Sequence, residues 1–255
     1  MERSFLIHQG SLSVPCTLSQ PEGGSIRRVV LGVHGFGGSA KDQIQTGIAE
    51  EMTLFGSASY RFDFPAHGES PMGSSAFTLQ NCIDSLLAVA SHAKAAFPKV
   101  EDLCIFATGF GAYVTLIALP ELLALPGQVR LVVQTPSVRM HETLLAMLRT
   151  TRETFWAMER FTVPAERPFE VTYRFYEELV ENIALTTHPI PMLILHGEDD
   201  DYIRMSDIQQ FHRINEGSEL VIIPGTSHRF LEDGAWDMVL DLTRDWFAFQ
   251  QVLLM

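Results

Sequence analysis

The chain has 255 residues, is 46% hydrophobic and carries a net charge of −13, enough for one α/β domain with a large core. The negative excess argues against nucleic acid and anionic membrane surfaces as partners, and no apolar run approaches the roughly 20 residues of a membrane span. Three widely spaced cysteines, and a start at Met1-Glu2-Arg3-Ser4 with no apolar signal region, suit reduced thiols in a cytoplasm.

Residues 4–8 and 11–18 read as two strands joined by a turn at Gln9-Gly10, and Pro21-Glu22-Gly23-Gly24 closes that section. The run 28–34 is almost wholly apolar, as in a parallel strand buried on both faces. It passes into Gly35-Phe36-Gly37-Gly38-Ser39, after which Ile44, Ile48 and Met52 mark the inner face of a helix. A strand over 58–64 leads into Asp63-Phe64-Pro65-Ala66-His67-Gly68-Glu69-Ser70, and Leu79, Ile83, Leu86, Leu87 and Ala90 mark a second amphipathic helix. Then come a buried strand from Leu103, a sharp turn at Thr108-Gly109-Phe110-Gly111, a helix to about Ala124, and a strand over 130–134.

From 138 to 187 the strand–helix rhythm breaks. This stretch holds Phe155, Trp156, Phe161, Phe169, Tyr173, Phe175 and Tyr176, with Pro164 and Pro168 between two helical pieces. Its aromatics can form a small core of their own or line a pocket beneath a lid, and the two readings are compatible. Alternation resumes with a strand over 191–196, a helix from Met205, a strand at Glu219–Ile223 and a last helix over Ala235–Phe249. The whole predicts a single domain over 1–255: a mostly parallel sheet of about eight strands, covered by helices on both faces, with 138–187 inserted as a helical lid after the sixth strand.

Three segments flank the turn at 109 in the way acyl-transfer chemistry requires. A turn of this type has the pattern small-x-nucleophile-x-Gly-small. Ala107, Gly111 and Ala112 fill its small positions, so the nucleophile position falls on Gly109. His34-Gly35-Phe36-Gly37-Gly38-Ser39 lets backbone amides point at a developing oxyanion, the donors being the N–H groups of Phe36 and Phe110. His196-Gly197-Glu198-Asp199-Asp200-Asp201 ends a late strand with a carboxylate able to orient a histidine, and Gly225-Thr226-Ser227-His228 follows the last strand on a loop able to deliver one. Consecutive carboxylates cannot all face one ion, so the acidic run is not read as a metal site.

Along essentially its whole length the chain resembles the α/β-hydrolase superfamily, most closely its feruloyl/cinnamoyl-esterase and acyl-esterase branch. The resemblance rests on His34-Gly35-Phe36, Asp63 to Ser70, His196-Gly197-x-x-Asp200 and Gly225-x-x-His228. It implies that Asp200 is the triad acid and His228 the triad base. Gly109 stands where those esterases have serine, and Gly109-Phe110-Gly111-Ala112-Tyr113 is also similar to the N-myc downstream-regulated family, non-enzymatic relatives with glycine at this point. Losing a serine nucleophile costs about a millionfold in turnover, on the order of 8 kcal/mol. Glycine relieves only the roughly 1–3 kcal/mol of backbone strain at such a turn.

The expected function is therefore that of an esterase-like protein, inert or very weak as a serine hydrolase, which keeps a pocket for a small aromatic or acyl-ester ligand and needs no cofactor. Two alternatives stand beside it. In one, the His228–Asp200 pair acts as a general base without a covalent step. In the other, Gly35-x-Gly37-x-x-Ala40 and Asp63 bind a dinucleotide, which leaves the Asp200 and His228 segments unexplained. Of the remaining candidates, His34 and His67 read as packing residues. Thr108 points away from the turn's tip, Cys104 lies within the strand, and Ser39 is the least implausible substitute nucleophile.

Overall fold

The computed structural model describes residues 1–249. A central sheet of eight strands has the order β1-β2-β4-β3-β5-β6-β9-β10. Strands β1 (Glu2–Gln9) and β2 (Leu12–Ser19) form an antiparallel hairpin, and β2 runs antiparallel to β4 (Ser57–Phe62). From β4 onward every pairing is parallel, through β3 (Arg28–Val33), β5 (Asp102–Thr108), β6 (Gln128–Gln134), β9 (Met192–Gly197) and β10 (Glu219–Ile223). This is the α/β-hydrolase fold.

The central strands β3, β5 and β9 are almost wholly buried because the sheet divides two cores, whereas β1 at the edge is largely exposed. Side chains alternate across a strand, so in β5 Leu103, Ile105 and Ala107 enter one core while Cys104 and Phe106 enter the other. The smaller core is closed by Ile48 and Met52 of α1 (Gln43–Leu54) and by Val239 and Phe247 of α9 (Ala235–Phe249). The larger packs α2 (Leu79–Ala96) and α3 (Gly109–Ile117) against the opposite face. All three cysteines, Cys16, Cys82 and Cys104, are buried free thiols. Burial pushes Cys16 and Cys104 up to about 12, and Cys82 is raised by the same cause.

Two expectations need correction. The helix after the turn does not run unbroken to Ala124: α3 stops at Ile117 and a separate α4 (Leu119–Leu123) restarts with Pro120 in its first turn. Proline lacks the N–H and clashes with the preceding turn, so it can open a helix but not continue one. The insertion after β6 is also not purely helical. Beside α5 (Met140–Met147), α6 (Arg152–Met158) and α7 (Tyr173–Glu181) it carries an antiparallel pair, β7 (Arg160–Val163) and β8 (Phe169–Thr172).

Of its aromatics, Trp156 is exposed. Phe155 is fully buried and meets Phe161, Tyr173 and Tyr176 edge-on or tilted, an aromatic group of the insertion continuous with the main core. Phe169 and Phe175 instead pack on Phe77 of the main core. The Arg167 guanidinium ties the β7–β8 turn down by donating to the carbonyls of Gly68, Ser70 and Met72. Between β8 and β9, α7 is followed by an irregular stretch, and α8 (Met205–Ile214) links β9 to β10. Among the described residues no helix is long and apolar enough to cross a membrane.

Candidate active site

The chain leaves β3 toward β4 on one side and later returns to β5 on the other. Such a switch point opens a crevice at the carboxyl ends of the strands. Both the Gly35–Gly38 loop and the β5–α3 turn lie there. At the turn Gly109 has φ +50, a conformation glycine adopts freely and other residues adopt under strain. Two residues on, a Cβ at Gly111 would sit 2.4 Å from the His34 carbonyl oxygen and 2.6 Å from that of Val33. Only glycine lets α3 pack this closely on the end of β3.

The structure brings Gly109, His228 and Asp200 together. Asp200 is fully buried, and its Oδ1 accepts from the Tyr202 and Ile203 amides, both at 2.9 Å. Its Oδ2 accepts from His228 Nδ1 at 2.8 Å, so Nδ1 carries a proton and Nε2 faces away. A Cβ placed on Gly109 would lie 3.9 Å from that Nε2. Burial pulls the Asp200 carboxyl upward, but the His228 hydrogen bond and charge, with the two amides, outweigh it and hold it below its ordinary value. Tyr202 packs edge-on against the imidazole at 5.2 Å.

Phe36 and Phe110 stand on either side of the turn with their rings in contact at 6.0 Å. Phe110 is the second residue of α3, so its N–H has no acceptor within the helix. Among the described residues neither the Phe36 nor the Phe110 amide donates to a protein acceptor. Both residues border a cavity of about 680 Å³ that also reaches Gly109 and His228. The insertion contributes Met140, Met147, Leu148 and the turn Val163–Glu166 to its wall, and none of its aromatics. The reading that those aromatics line this cavity is therefore corrected. Phe155, Phe169, Phe175 and Tyr176 are buried, Trp156 is exposed, and what the insertion offers the cavity is methionine, aliphatic and proline side chains with Glu166.

The other candidates are structural. His34 Nδ1 donates to the Gly35 carbonyl at 2.8 Å while its Nε2 accepts from the Phe64 amide at 3.1 Å. His67 does likewise, Nδ1 to the Pro65 carbonyl at 2.9 Å and Nε2 from the Gly37 amide at 3.0 Å. A carbonyl can only accept, so both rings are neutral with the proton on Nδ1. Burial drives His34 down to about 4 and, with the nearby His34, His67 down to about 3. Together they fix the loop that presents Phe36. Ser39 is spent on Asp42, through its amide at 2.9 Å and its hydroxyl at 3.2 Å. Cys104 is fully buried in β5, and Thr108 Oγ1 lies toward Gly35.

The glycine-rich loop does not form a dinucleotide cradle. Helix α1 begins only at Gln43, and the Asp63 carboxylate already accepts from the amides of Ala40 at 2.7 Å and Glu69 at 2.9 Å. Sequence reasoning missed three cavity residues at the end of β6: Gln134, Thr135 and Ser137. Gln134 Oε1 is buried with no hydrogen-bond partner. Thr135 has φ +43, strained for a β-branched residue. The one available signal was Pro136, which restricts the residue before it.

The alpha/beta hydrolase family model matches residues 29–242, and the chain belongs to that family. No curated protein matches the sequence. Among solved structures, Est1E from Butyrivibrio proteoclasticus with ferulic acid bound is similar at 18% identity and a TM-score of 0.82, over 97% of this chain and 99% of that one. Alpha/beta hydrolase domain-containing protein 10 from mouse is similar at 16% identity and 0.76, over 96% and 98%. At these identities the likeness is one of fold.

Proposed function

We propose that this protein descends from carboxylic-ester hydrolases, has lost covalent ester hydrolysis with its nucleophile, and keeps the cavity as a cytoplasmic binding site for a small aromatic or acyl ligand. The observation that carries this reading is Gly109, a residue with nothing to attack a carbonyl, placed where a side chain would meet His228 Nε2. Asp200 acts as the orienting acid and His228 as the base left without its partner. The Phe36 and Phe110 amides remain as oxyanion donors. Residues 138–187 serve as the lid over this site. Ferulic acid in the Butyrivibrio structure supports an aromatic acid or its ester as the ligand class, and glycine at the nucleophile position matches the non-enzymatic N-myc downstream-regulated relatives.

The test is Gly109→Ser. A triad acts as a unit, so its surviving members regain their effect only when the serine returns. Turnover of p-nitrophenyl acetate and methyl ferulate should rise by roughly tenfold or more over wild type, and Gly109→Ser with His228→Ala should lose the gain. A folded serine variant with no gain sinks the lost-nucleophile reading. A second reading rests on the unpartnered Nε2: His228, backed by Asp200, acts as a general base on a water or on a ligand proton. Wild-type turnover that resists fluorophosphonate labelling but disappears in His228→Ala would favour it.

A further inference from the structure

We infer that the natural ligand is a free carboxylic acid, bound as the carboxylate with one oxygen in the space a serine hydroxyl would fill. This rests on the binding reading above and deepens it. The space is defined by what surrounds it. From a Cβ position at Gly109, the nearest atoms beyond its chain neighbours are His228 Nε2 at 3.9 Å and the Gly35 Cα at 4.0 Å. A small group therefore fits there in ordinary van der Waals contact, the position borders the 680 Å³ cavity, and a ring nitrogen with no protein partner forms one wall.

The chemistry selects the ligand group. In an acyl-serine, the acyl carbon carries one oxygen bonded to the residue and one held by the oxyanion donors. A free carboxylate has the same two oxygens on the same carbon, with no bond to the protein. Without the serine side chain, one oxygen can face His228 Nε2 and the other the unpaired amides of Phe36 and Phe110. Binding of the carboxylate takes up one proton from solvent at Nε2, which then donates to the ligand oxygen while Nδ1 stays on Asp200 at 2.8 Å. The ligand then receives a charge-assisted hydrogen bond on one oxygen and amide hydrogen bonds on the other, which a neutral ester cannot equal. In a serine protein the hydroxyl occupies this position and competes with the acid. The substitution thus favours retention of an acid over reaction with its ester. The Met140, Met147, Leu148 and Val163 side chains along the cavity suit an apolar remainder on that acid.

The experiment is calorimetric titration of the full chain with four probes, cinnamate, ferulate, hexanoate and methyl cinnamate, repeated with Gly109→Ser and Gly109→Ala. Cinnamate should bind wild type about tenfold or more tightly than its methyl ester. That preference should shrink in Gly109→Ala, which cannot cleave the ester. Cinnamate should bind Gly109→Ser about tenfold more weakly than wild type, methyl cinnamate being left out for the serine variant because it would be hydrolysed. Circular dichroism should show both variants folded. Acid and ester binding equally well, or the acid binding Gly109→Ser as tightly as wild type, overturns the inference and leaves the binding reading standing. Rapid cleavage of methyl cinnamate by wild type through a labelled covalent intermediate, or binding of none of the four, overturns both.

Discussion

Two histidine environments in this one molecule show how one residue type serves opposite ends. His34 and His67 have both ring nitrogens engaged with backbone groups, and burial holds them neutral. They cannot exchange a proton without breaking the loop they support. His228 has one nitrogen locked to Asp200 and the other facing a cavity with no protein partner, and its side chain is 17% exposed rather than sealed. A free nitrogen on a fixed ring distinguishes a histidine able to exchange a proton with a ligand from a structural one. Neither residue type nor proximity to the site makes that distinction.

The sharpest way to break this comparison is to acidify the protein. For His34 and His67 the folded pKa lies below the unfolded value of about 6.5. Between that value and the folded one the unfolded chain binds more protons, so stability falls as pH drops, by about 1.4 kcal/mol per unit for each histidine. Taken together the pair should cost about 5 kcal/mol by pH 4.5. His188 and His196, also lowered by burial, add in the same direction. Asp200 does not contribute in this window: its depressed pKa gives stability that is present above the unfolded value of about 3.9 and is lost only as pH falls through the lower folded value. Urea midpoints from pH 7 to 4.5 should show the decline, and His67→Gln should reduce its slope by about one proton. An unchanged slope would mean that His67 does not stay neutral in the folded protein.

Truncation gives the next largest contrast. His34→Ala should cost about 3 kcal/mol, because it leaves the buried Phe64 amide without an acceptor and a void where the sealed ring stood. The Gly35 carbonyl keeps its bond from the Gly38 amide. His228→Ala removes the donor to Asp200 Oδ2 but opens that oxygen to water from the cavity, so it should cost less, about 1–2 kcal/mol, while abolishing the activity gained in Gly109→Ser. Equal losses of stability would erase the distinction. The smallest effect is expected at Ser39. Removing its hydroxyl loses one hydrogen bond to Asp42 and one from the amide of the exposed Lys41, which water can replace, so the cost should be about 0.5–1 kcal/mol with any residual ester turnover unchanged. A collapse of turnover in Ser39→Ala would instead identify Ser39 as a substitute nucleophile.

Most of the sheet was legible because its strands are buried on both faces and read as apolar runs, and the glycines at 109 and 111 sit in a spacing few folds use. The Asp200–His228 pair could be inferred because each follows a strand end. The roles of His34 and His67 were legible only as packing, since the amides they accept from arrive from loops 30 residues away in sequence. The β7–β8 pair escaped because each strand has four residues, too short for a period to emerge among aromatics that also fit a helix. Yet Phe169 and Val171 are buried while Glu170 and Thr172 are less so, an alternation visible in the sequence once looked for. Pro120 was a helix-restart signal that the apolar residues around it concealed.

The three sealed cysteines have a practical corollary. A thiol must ionise to react with an alkylating reagent, and Cys16, Cys82 and Cys104 are both buried and shifted away from ionisation. The native chain is thus a silent background for thiol chemistry. A single Gly109→Cys replacement would introduce one accessible sulfur, at the point where ligand, imidazole and amides converge. Its rate of reaction with iodoacetamide, with and without a candidate acid present, would turn that turn into a reporter of occupancy, with no need for the protein to catalyse anything.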